Sequence, residues 1–244
     1  MHDTWKYWYE EHPTAEAQRR WLLRLQCAFS PSCAPVVVCK EVNTERLRLP
    51  EAILTYQLPV NHRVILKNEI VIEYDSEEQE KNKEATHEVI AWLRRRKIPY
   101  VVGWSGNKSY HVHVWIDVAS ITFSADTAEW MKTLGLTAAD FRNYVYQKFF
   151  YKRLKDIETK TGAKLDETLH NRNHLIREFG GVNQKTGKRK TFINDELELP
   201  HPLQVIYPQG VEFWHVPEWQ EVFFKFLSTM EKQKKKETLE GWFA

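Results

Sequence analysis

The sequence predicts an α+β fold in which mixed or antiparallel sheets are flanked by helices. Helical and strand patterns alternate irregularly along the 244 residues, and neighbouring strand patterns are spaced as local hairpins. A doubly wound parallel sheet would instead need a helix between successive strands. The length suits one large or two small domains with a buried core.

The N-terminal half contains helical segments followed by strands. Residues 5–26 have helical periodicity with Trp21, Leu22 and Leu25 on one face, and Pro13 separates two short helices. Strand patterns follow at residues 35–39, 52–57, 63–67 and 70–75. A helix is predicted over residues 77–97, and a hairpin over 99–104 and 110–116 that turns at Gly106.

The C-terminal half is predicted to contain two helices and two short strands. The helix over residues 136–161 has the apolar stripe Phe141, Val145, Phe149 and Leu154. Short strands are predicted at 175–179 and 190–193, and a last helix at 219–235.

Charge and hydropathy define the environment only broadly. The formal net charge is +2, so overall charge does not indicate nucleic acid, but cations cluster at residues 94–97, 185–190 and 232–236. The cluster 185–190 adjoins the motifs described below, which favours a function for it. The sequence contains no apolar run of membrane-spanning length and begins without the apolar core of a signal peptide, so we expect a cytoplasmic protein without a membrane partner.

The three cysteines, Cys27, Cys33 and Cys39, are evenly spaced rather than arranged in the close pairs of structural zinc sites. Structural zinc is therefore not expected, and buried free cysteines are favoured. A three-cysteine site completed by His12 or His62 remains the alternative.

Acidic residues at two places suggest a metal site. Glu73 and Asp75 end an apolar strand pattern, and their spacing directs both side chains to one face. Two close carboxylates repel each other and favour a divalent cation, and Asp166 would be a third oxygen donor. Three carboxylates are what a two-metal nucleotidyl-transfer site with Mg²⁺ or Mn²⁺ requires.

Polar and basic residues at two further places suggest an anion site. In the segment 105–113, a glycine-containing turn exposes backbone N–H groups, and Lys108 and His111 add donors suited to phosphate oxygens. His113 has a weaker claim, because a histidine in a hairpin is more often packed or hydrogen-bonded. Arg177 and Lys185 would complete the positive side.

The three segments, in this order, resemble the catalytic motifs of the archaeo-eukaryotic primase superfamily: Glu73-Tyr74-Asp75, then residues 105–113, then residues 165–187. The superfamily includes the small catalytic subunits of primases, primase-polymerases and end-joining polymerases. The resemblance implies a primase-polymerase-like catalytic core over residues 1–235, with an N-terminal helical segment (1–34) packed on it. It implies a metal-dependent, template-directed nucleotidyltransferase that makes or extends short DNA or RNA strands.

Residue roles follow from the same resemblance. Glu73, Asp75 and Asp166 would be the catalytic metal ligands. The residues implied to bind the nucleotide are Ser105, Lys108, His111, Arg177 and Lys185. The implied partners are a single-stranded or primed DNA template, NTP or dNTP, and a primase large subunit.

Two residues depart from the motifs of that superfamily. Glu73 stands where Asp is usual, which moves the carboxylate by about an ångström. Ser109 stands where Gly is usual, which narrows the turn's conformational freedom. Two alternatives therefore stay open: a metal-dependent nuclease, and a catalytically degenerate primase-like protein that binds nucleic acid.

The C-terminal residues 236–244 form a separate tail in the sequence. Leu239, Trp242 and Phe243 are spaced so that one helical turn would present all three on one side. The pattern resembles the clamp-binding box that tethers replication proteins to the PCNA sliding clamp, with Lys236 in place of the leading Gln. The alternative is that the tail folds back on its own core.

Overall fold

The computed structural model describes residues 62–66, 68–117, 121, 124–170, 174–177, 179–183, 185–200 and 212–242. Within these residues the strands are β1 (His62–Val64), β2 (Glu69–Glu73), β3 (Val101–Trp104), β4 (Tyr110–Ile116), β5 (Leu175–Arg177), β6 (Thr191–Phe192) and β7 (Phe213–Trp214). The helices are α1 (Gln79–Arg95), α2 (Ala125–Leu134), α3 (Ala138–Tyr146), α4 (Lys152–Thr161) and α5 (Trp219–Trp242), with a π-helical turn (Gln147–Tyr151) between α3 and α4 and a 3-10 helix (Glu167–His170) before β5.

The main sheet is largely antiparallel and has the strand order β2-β4-β3-β6. β3 and β4 form a hairpin, β2 pairs with the other edge of β4, and β7 runs parallel to the last two residues of β4. A separate antiparallel pair joins β1 to β5. The α+β class with an antiparallel sheet flanked by helices is therefore confirmed.

The two faces of the main sheet are both covered, but by different chemistry. On the first face, alternate strand residues pack against the helices in the large apolar core; they include Ile70, Ile72, Val102, Val112 and Val114. The second face carries ionisable side chains between the apolar ones, namely Glu69 and Glu73 on β2 and His111 and His113 on β4. β1, β5 and the 3-10 helix lie over this second face, where Ile65, Leu169 and Ile176 pack on Val71.

The helical segment 138–161 confirms the predicted helix but corrects its apolar stripe. Phe149, predicted to face the core, is 36% exposed, whereas Phe150 is fully buried. The π-helical turn Gln147–Tyr151 adds one residue to the turn, so the buried face continues from Val145 to Phe150 and then to Leu154. A strict 3.6-residue period cannot anticipate this shift.

Other predictions are confirmed with changed boundaries. The helix predicted at 77–97 is α1, the hairpin is β3–β4, and the strand predicted at 63–67 is shorter. α2, which begins after the capping residue Ser124, and β7 were not predicted. The final helix continues through Trp242 rather than ending at residue 235.

The predictions for residues 1–61 lie outside the described residues, including the N-terminal helices, two strands and the cysteines. In the part of the chain that the structure describes, no helix combines the length and apolar character needed to cross a membrane.

Candidate functional site

The predicted acids meet at one end of β2. Tyr74 forms an isolated antiparallel bridge with Leu165. On either side of it, the Asp75 N–H donates to the Lys164 carbonyl at 2.8 Å and the Asp166 N–H donates to the Glu73 carbonyl at 2.9 Å. This short backbone pairing brings Asp166 beside Glu73 and Asp75 from a distant part of the sequence.

Glu73 is held from the neighbouring strand. It lies directly across from His111 in the ladder between β2 and β4. The Ser109 hydroxyl donates to Glu73 Oε1 at 2.5 Å, and His111 Nε2 lies 3.2 Å from the same oxygen. Ser109 Oγ also lies 2.9 Å from the Ser105 hydroxyl. One carboxylate oxygen is therefore fixed by two side chains of the predicted anion site.

The pKa values of Glu73 and His111 are both lowered, but for different reasons. Burial alone would raise the pKa of Glu73, but the contacts with His111, the Ser109 hydroxyl and the charge of Lys190 outweigh it and lower that pKa to about 2. Burial lowers the pKa of His111, although Glu73 opposes the shift. We therefore assign Glu73 as a carboxylate that accepts a hydrogen bond from His111 Nε2.

Asp75 and Asp166 point to other partners. Asp75 Oδ1 is 3.5 Å from the ammonium of Lys108, which also donates to Glu77 at 3.0 Å. The hydrogen bond with Glu77 and the charge of Asp75 raise the pKa of Lys108 above its ordinary value, although partial desolvation opposes them. Asp166 Oδ1 accepts from the backbone N–H and the hydroxyl of Thr168 at 2.9 and 2.7 Å.

The loop after β3 is fixed against the segment that follows β5. Gly106 has a φ of 86°, in the left-handed region, and a Cβ there would lie 2.9 Å from the Lys188 carbonyl oxygen. Thr186 donates to the Gly106 carbonyl at 2.6 Å, and Arg177 Nη1 donates to the Ser105 carbonyl at 2.7 Å. The predicted phosphate-binding turn and the Lys185-containing turn are therefore locked together.

These elements enclose a cleft of about 450 Å³. All eight side chains predicted for metal and nucleotide line it: Glu73, Asp75, Asp166, Ser105, Lys108, His111, Arg177 and Lys185. The acids lie on the side of β2 and the 164–166 segment, and the cations come from the β3–β4 loop and from β5 onward. The structure thus brings the predicted residues together, while their individual roles stay predictions.

The donor chemistry of the cleft suits a hard divalent cation, since three carboxylates contribute oxygen atoms. Their present orientation is less favourable, because Glu73, Asp75 and Asp166 each point to a different partner. Among the described residues, no group of three or more His, Cys, Asp or Glu side chains is arranged to hold a metal. Metal binding would therefore require rotation of side chains, including exchange of the ion pair between the half-exposed Asp75 and Lys108.

The cleft also contains residues that sequence reasoning missed. Glu77, Asn107, Ser109, His174 and Asn183 line it in addition to the predicted set. Asn107, Ser109, His174 and Asn183 lie inside the motif segments, so the sequence places them near the site without giving them a role. Glu77 carries no pattern that distinguishes it from a surface residue.

The basic run 185–190 is divided between solvent and the interior. Lys185 and Lys188 are exposed, whereas Lys190 is fully buried and donates to the Arg177 carbonyl at 3.0 Å. His113, given a weaker claim from sequence, is also fully buried and contacts Glu69 at 2.6 Å. It does not line the cleft, in agreement with a packed, hydrogen-bonded histidine.

The predicted clamp-binding tail begins within α5. The helix includes positions 239 and 242, so a helical conformation extends over two of the three predicted anchors. Their side chains, and Phe243 as a whole, lie outside what the structure describes.

Compared with known proteins, the chain matches no family model and no curated protein. The resemblance to primase motifs therefore rests on the residues quoted above.

Proposed function

We propose that the protein is a metal-dependent, template-directed nucleotidyltransferase of the primase-polymerase kind. Its substrates would be NTP or dNTP and a single-stranded or primed DNA template. The observation that supports the proposal is the common cleft: acids and phosphate-binding residues from three separate stretches of sequence line one space of about 450 Å³. Structural packing alone does not require these charges to converge on an open cleft.

The charge distribution of the cleft fits a nucleoside triphosphate with its metal. Glu73, Asp75 and Asp166 would hold Mg²⁺ or Mn²⁺, which when bound would neutralise charge at the reacting phosphate and lower the pKa of an attacking hydroxyl. Lys108, Arg177 and Lys185 supply cationic donors for phosphate oxygens. His111 would donate to a phosphate oxygen through Nε2 by exchanging its present contact with Glu73.

Lys108 is the residue we expect to change partner when substrate binds. Its ammonium now lies between Asp75 and Glu77, whose side chains are half and almost wholly exposed. Such exposed ion pairs contribute little to stability, so exchanging them for phosphate oxygens costs little. The exchange would also leave Asp75 available as a metal ligand.

The deciding experiment measures nucleotide incorporation on a single-stranded template with Mg²⁺ or Mn²⁺, with and without a primer. Asp75→Asn and Asp166→Asn should each lower incorporation by at least about a hundredfold, as expected for loss of a charge-stabilising group. Asp117→Asn is the matched control, because Asp117 follows the opposite end of β4 and pairs with His215. Wild-type activity in both cleft variants would place the chemistry elsewhere.

A second candidate is a protein that binds nucleotide or a nucleic-acid end without transferring nucleotides. The contacts of Ser109 and His111 with Glu73 Oε1 support it, because they occupy an oxygen that a metal would need. The incorporation assay, together with a measurement of Mg·ATP binding, distinguishes the two candidates. Binding of Mg·ATP without incorporation under any metal condition would favour the binding protein. Release of nucleotides from the template would instead favour the metal-dependent nuclease.

A further inference from the structure

A chain of three buried ionisable side chains lies beneath the cleft. Glu69, His113 and Lys190 have no exposed surface. Glu69 Oε1 is 2.6 Å from His113 Nδ1, and His113 Nε2 is 2.9 Å from Lys190 Nζ. Residues from β2, β4 and the segment before β6 are thereby linked across the second face of the sheet.

The contacts are consistent with one arrangement of protons and charges. A Glu69 carboxylate accepts from His113 Nδ1–H, which leaves Nε2 to accept from the Lys190 ammonium. The other Glu69 oxygen accepts from the Leu66 N–H at 3.0 Å. Lys190 Nζ also lies 4.6 Å from the ring centroid of Phe179, a contact that favours the charged form.

The chain is connected to the nucleotide site through Arg177. Lys190 Nζ donates to the Arg177 carbonyl at 3.0 Å. The guanidinium of Arg177, which lines the cleft, donates in turn to the Ser105 carbonyl at 2.7 Å. One buried ammonium therefore fixes the main chain of a residue whose side chain braces the phosphate-binding loop.

Gly103 provides the space for this arrangement. A Cβ at that position would lie 2.9 Å from Lys190 Cε and 2.8 Å from Phe179 Cε1. Neither distance is tolerable for packed atoms, so the absent side chain lets the lysine cross the face of β3.

A buried carboxylate and ammonium are costly to desolvate, and apolar residues of similar size often replace them without loss of stability. Stability alone therefore explains poorly why Glu69, His113 and Lys190 are buried together. The hydrogen bond from Lys190 to the Arg177 carbonyl offers a more specific reason.

We propose that Lys190 is a positioning residue for the nucleotide site: held by Glu69 through His113, it fixes the backbone of Arg177 and hence the guanidinium that meets the triphosphate. This inference rests on the proposed function of the cleft. Lys190 itself has no access to the cleft and would contact no substrate.

The test uses the full chain and Mg·ATP as the probe, with affinity measured by calorimetry. Because removing Lys190 alone takes away one of the two opposite charges that His113 links, the main variant is Glu69→Gln/Lys190→Met, which removes both charges. It is combined with Arg177→Ala in a double-mutant cycle. Thr127→Val is the control: Thr127 is also buried, and its hydroxyl donates to the Ser124 carbonyl at the start of α2 rather than to a residue of the cleft.

The charge-free variant should fold and bind Mg·ATP about tenfold more weakly than wild type. Adding Arg177→Ala should weaken binding no further than Arg177→Ala does alone, and Thr127→Val should bind like wild type. Wild-type affinity of the charge-free variant would overturn the proposal. It would also be overturned if the free-energy losses of the charge-free variant and Arg177→Ala simply added, or if Thr127→Val lost as much affinity as the charge-free variant.

A second measurement separates failure of this inference from failure of the proposed function. If wild type binds neither Mg·ATP nor Mg·dATP, the proposed function is wrong, and amide hydrogen exchange then decides about Lys190. Faster exchange of the β5 amides in the charge-free variant would support the positioning role, and unchanged exchange would overturn it.

Discussion

Glu73 and Ser109 are the two residues that depart from the primase motifs, and they contact each other. The longer Glu73 side chain reaches the Ser109 hydroxyl at 2.5 Å, where the usual glycine would offer no partner. The two departures therefore form one local unit. Either change alone would remove the hydrogen bond between the two side chains.

Ser109→Ala should lower the free energy of unfolding by about 1.5–3 kcal/mol, because it removes a buried hydrogen bond to a charged group. In a Glu73→Gln background the same change should cost clearly less, since the acceptor is then neutral. Urea unfolding of the four proteins measures this coupling. Ser228→Ala, at an exposed position of α5, is the control, and equal costs in both backgrounds would rule out the coupling.

His170 should make stability depend on pH. It is buried against the ring of Tyr146, and burial followed by the charge of Arg142 lowers its pKa to about 3. The unfolded chain therefore binds a proton that the folded chain does not. The contribution of His170 is complete above about pH 6.5 and is lost as the pH falls toward about 3.

Between pH 7 and pH 5, this residue alone should remove about 2 kcal/mol from the free energy of unfolding. His170→Phe keeps a ring against Tyr146 without a titrating group, so its stability should fall by that much less over the same interval. Both ring nitrogens of His170 lack a hydrogen-bond partner in the described part of the chain, so the change removes no such bond. Parallel pH profiles for the two proteins would contradict the assignment.

Sequence patterns identified the cleft residues because their chemistry is local to short motifs. They did not identify the contact between Ser109 and Glu73, which depends on the pairing of β2 with β4. Nor did they separate Lys190 from Lys185, since the two share one basic run and differ only in which side of the loop they occupy. Whether a charged side chain is buried depends on the tertiary fold, which a short sequence pattern does not show.

At the scale of elements, the π-helical turn between α3 and α4 decides which aromatic residue belongs to the core. Phe150 packs edge-to-face against Trp92 and Trp214, whereas Phe149 is partly in solvent. Alternation in the strands was predictable because both faces follow a strict two-residue period. The helical stripe was predictable only up to Val145, where the period changes.

Phe150→Ala should cost about 3–5 kcal/mol of unfolding free energy, as for other fully buried phenylalanines. Phe149→Ala, at the adjacent residue, is the comparison variant. It should cost no more than about half as much, because the side chain is already partly hydrated. Thermal or urea unfolding of the two variants gives the answer, and the reverse ranking would contradict the shifted register.

At the scale of the whole molecule, α5 continues without a break into the predicted tail. Among the residues of α5 whose burial the structure describes, Leu227 is the last buried one, and residues 232–236 are exposed. The boundary predicted at residue 236 therefore falls within a continuous helix.

The peptide 236–244 should bind the PCNA sliding clamp of the same organism by calorimetry, with Leu239, Trp242 and Phe243 as anchors. The double variant Trp242→Ala/Phe243→Ala should show no heat of binding. Deleting residues 236–244 should leave incorporation on short templates unchanged and abolish stimulation by the clamp on longer ones. A wild-type peptide that gives no heat at micromolar clamp would return the two aromatic residues to a structural role.

The bridge between Tyr74 and Leu165 has a consequence for the order of folding. The β3–β4 hairpin joins neighbouring residues, whereas the contact between Asp166 and Glu73 joins residues separated by α1 to α4. Because closing a long loop is entropically costly, we expect the hairpin to form early in folding and this contact to form late. We therefore expect the repulsion between the carboxylates to slow the last step of folding rather than the first.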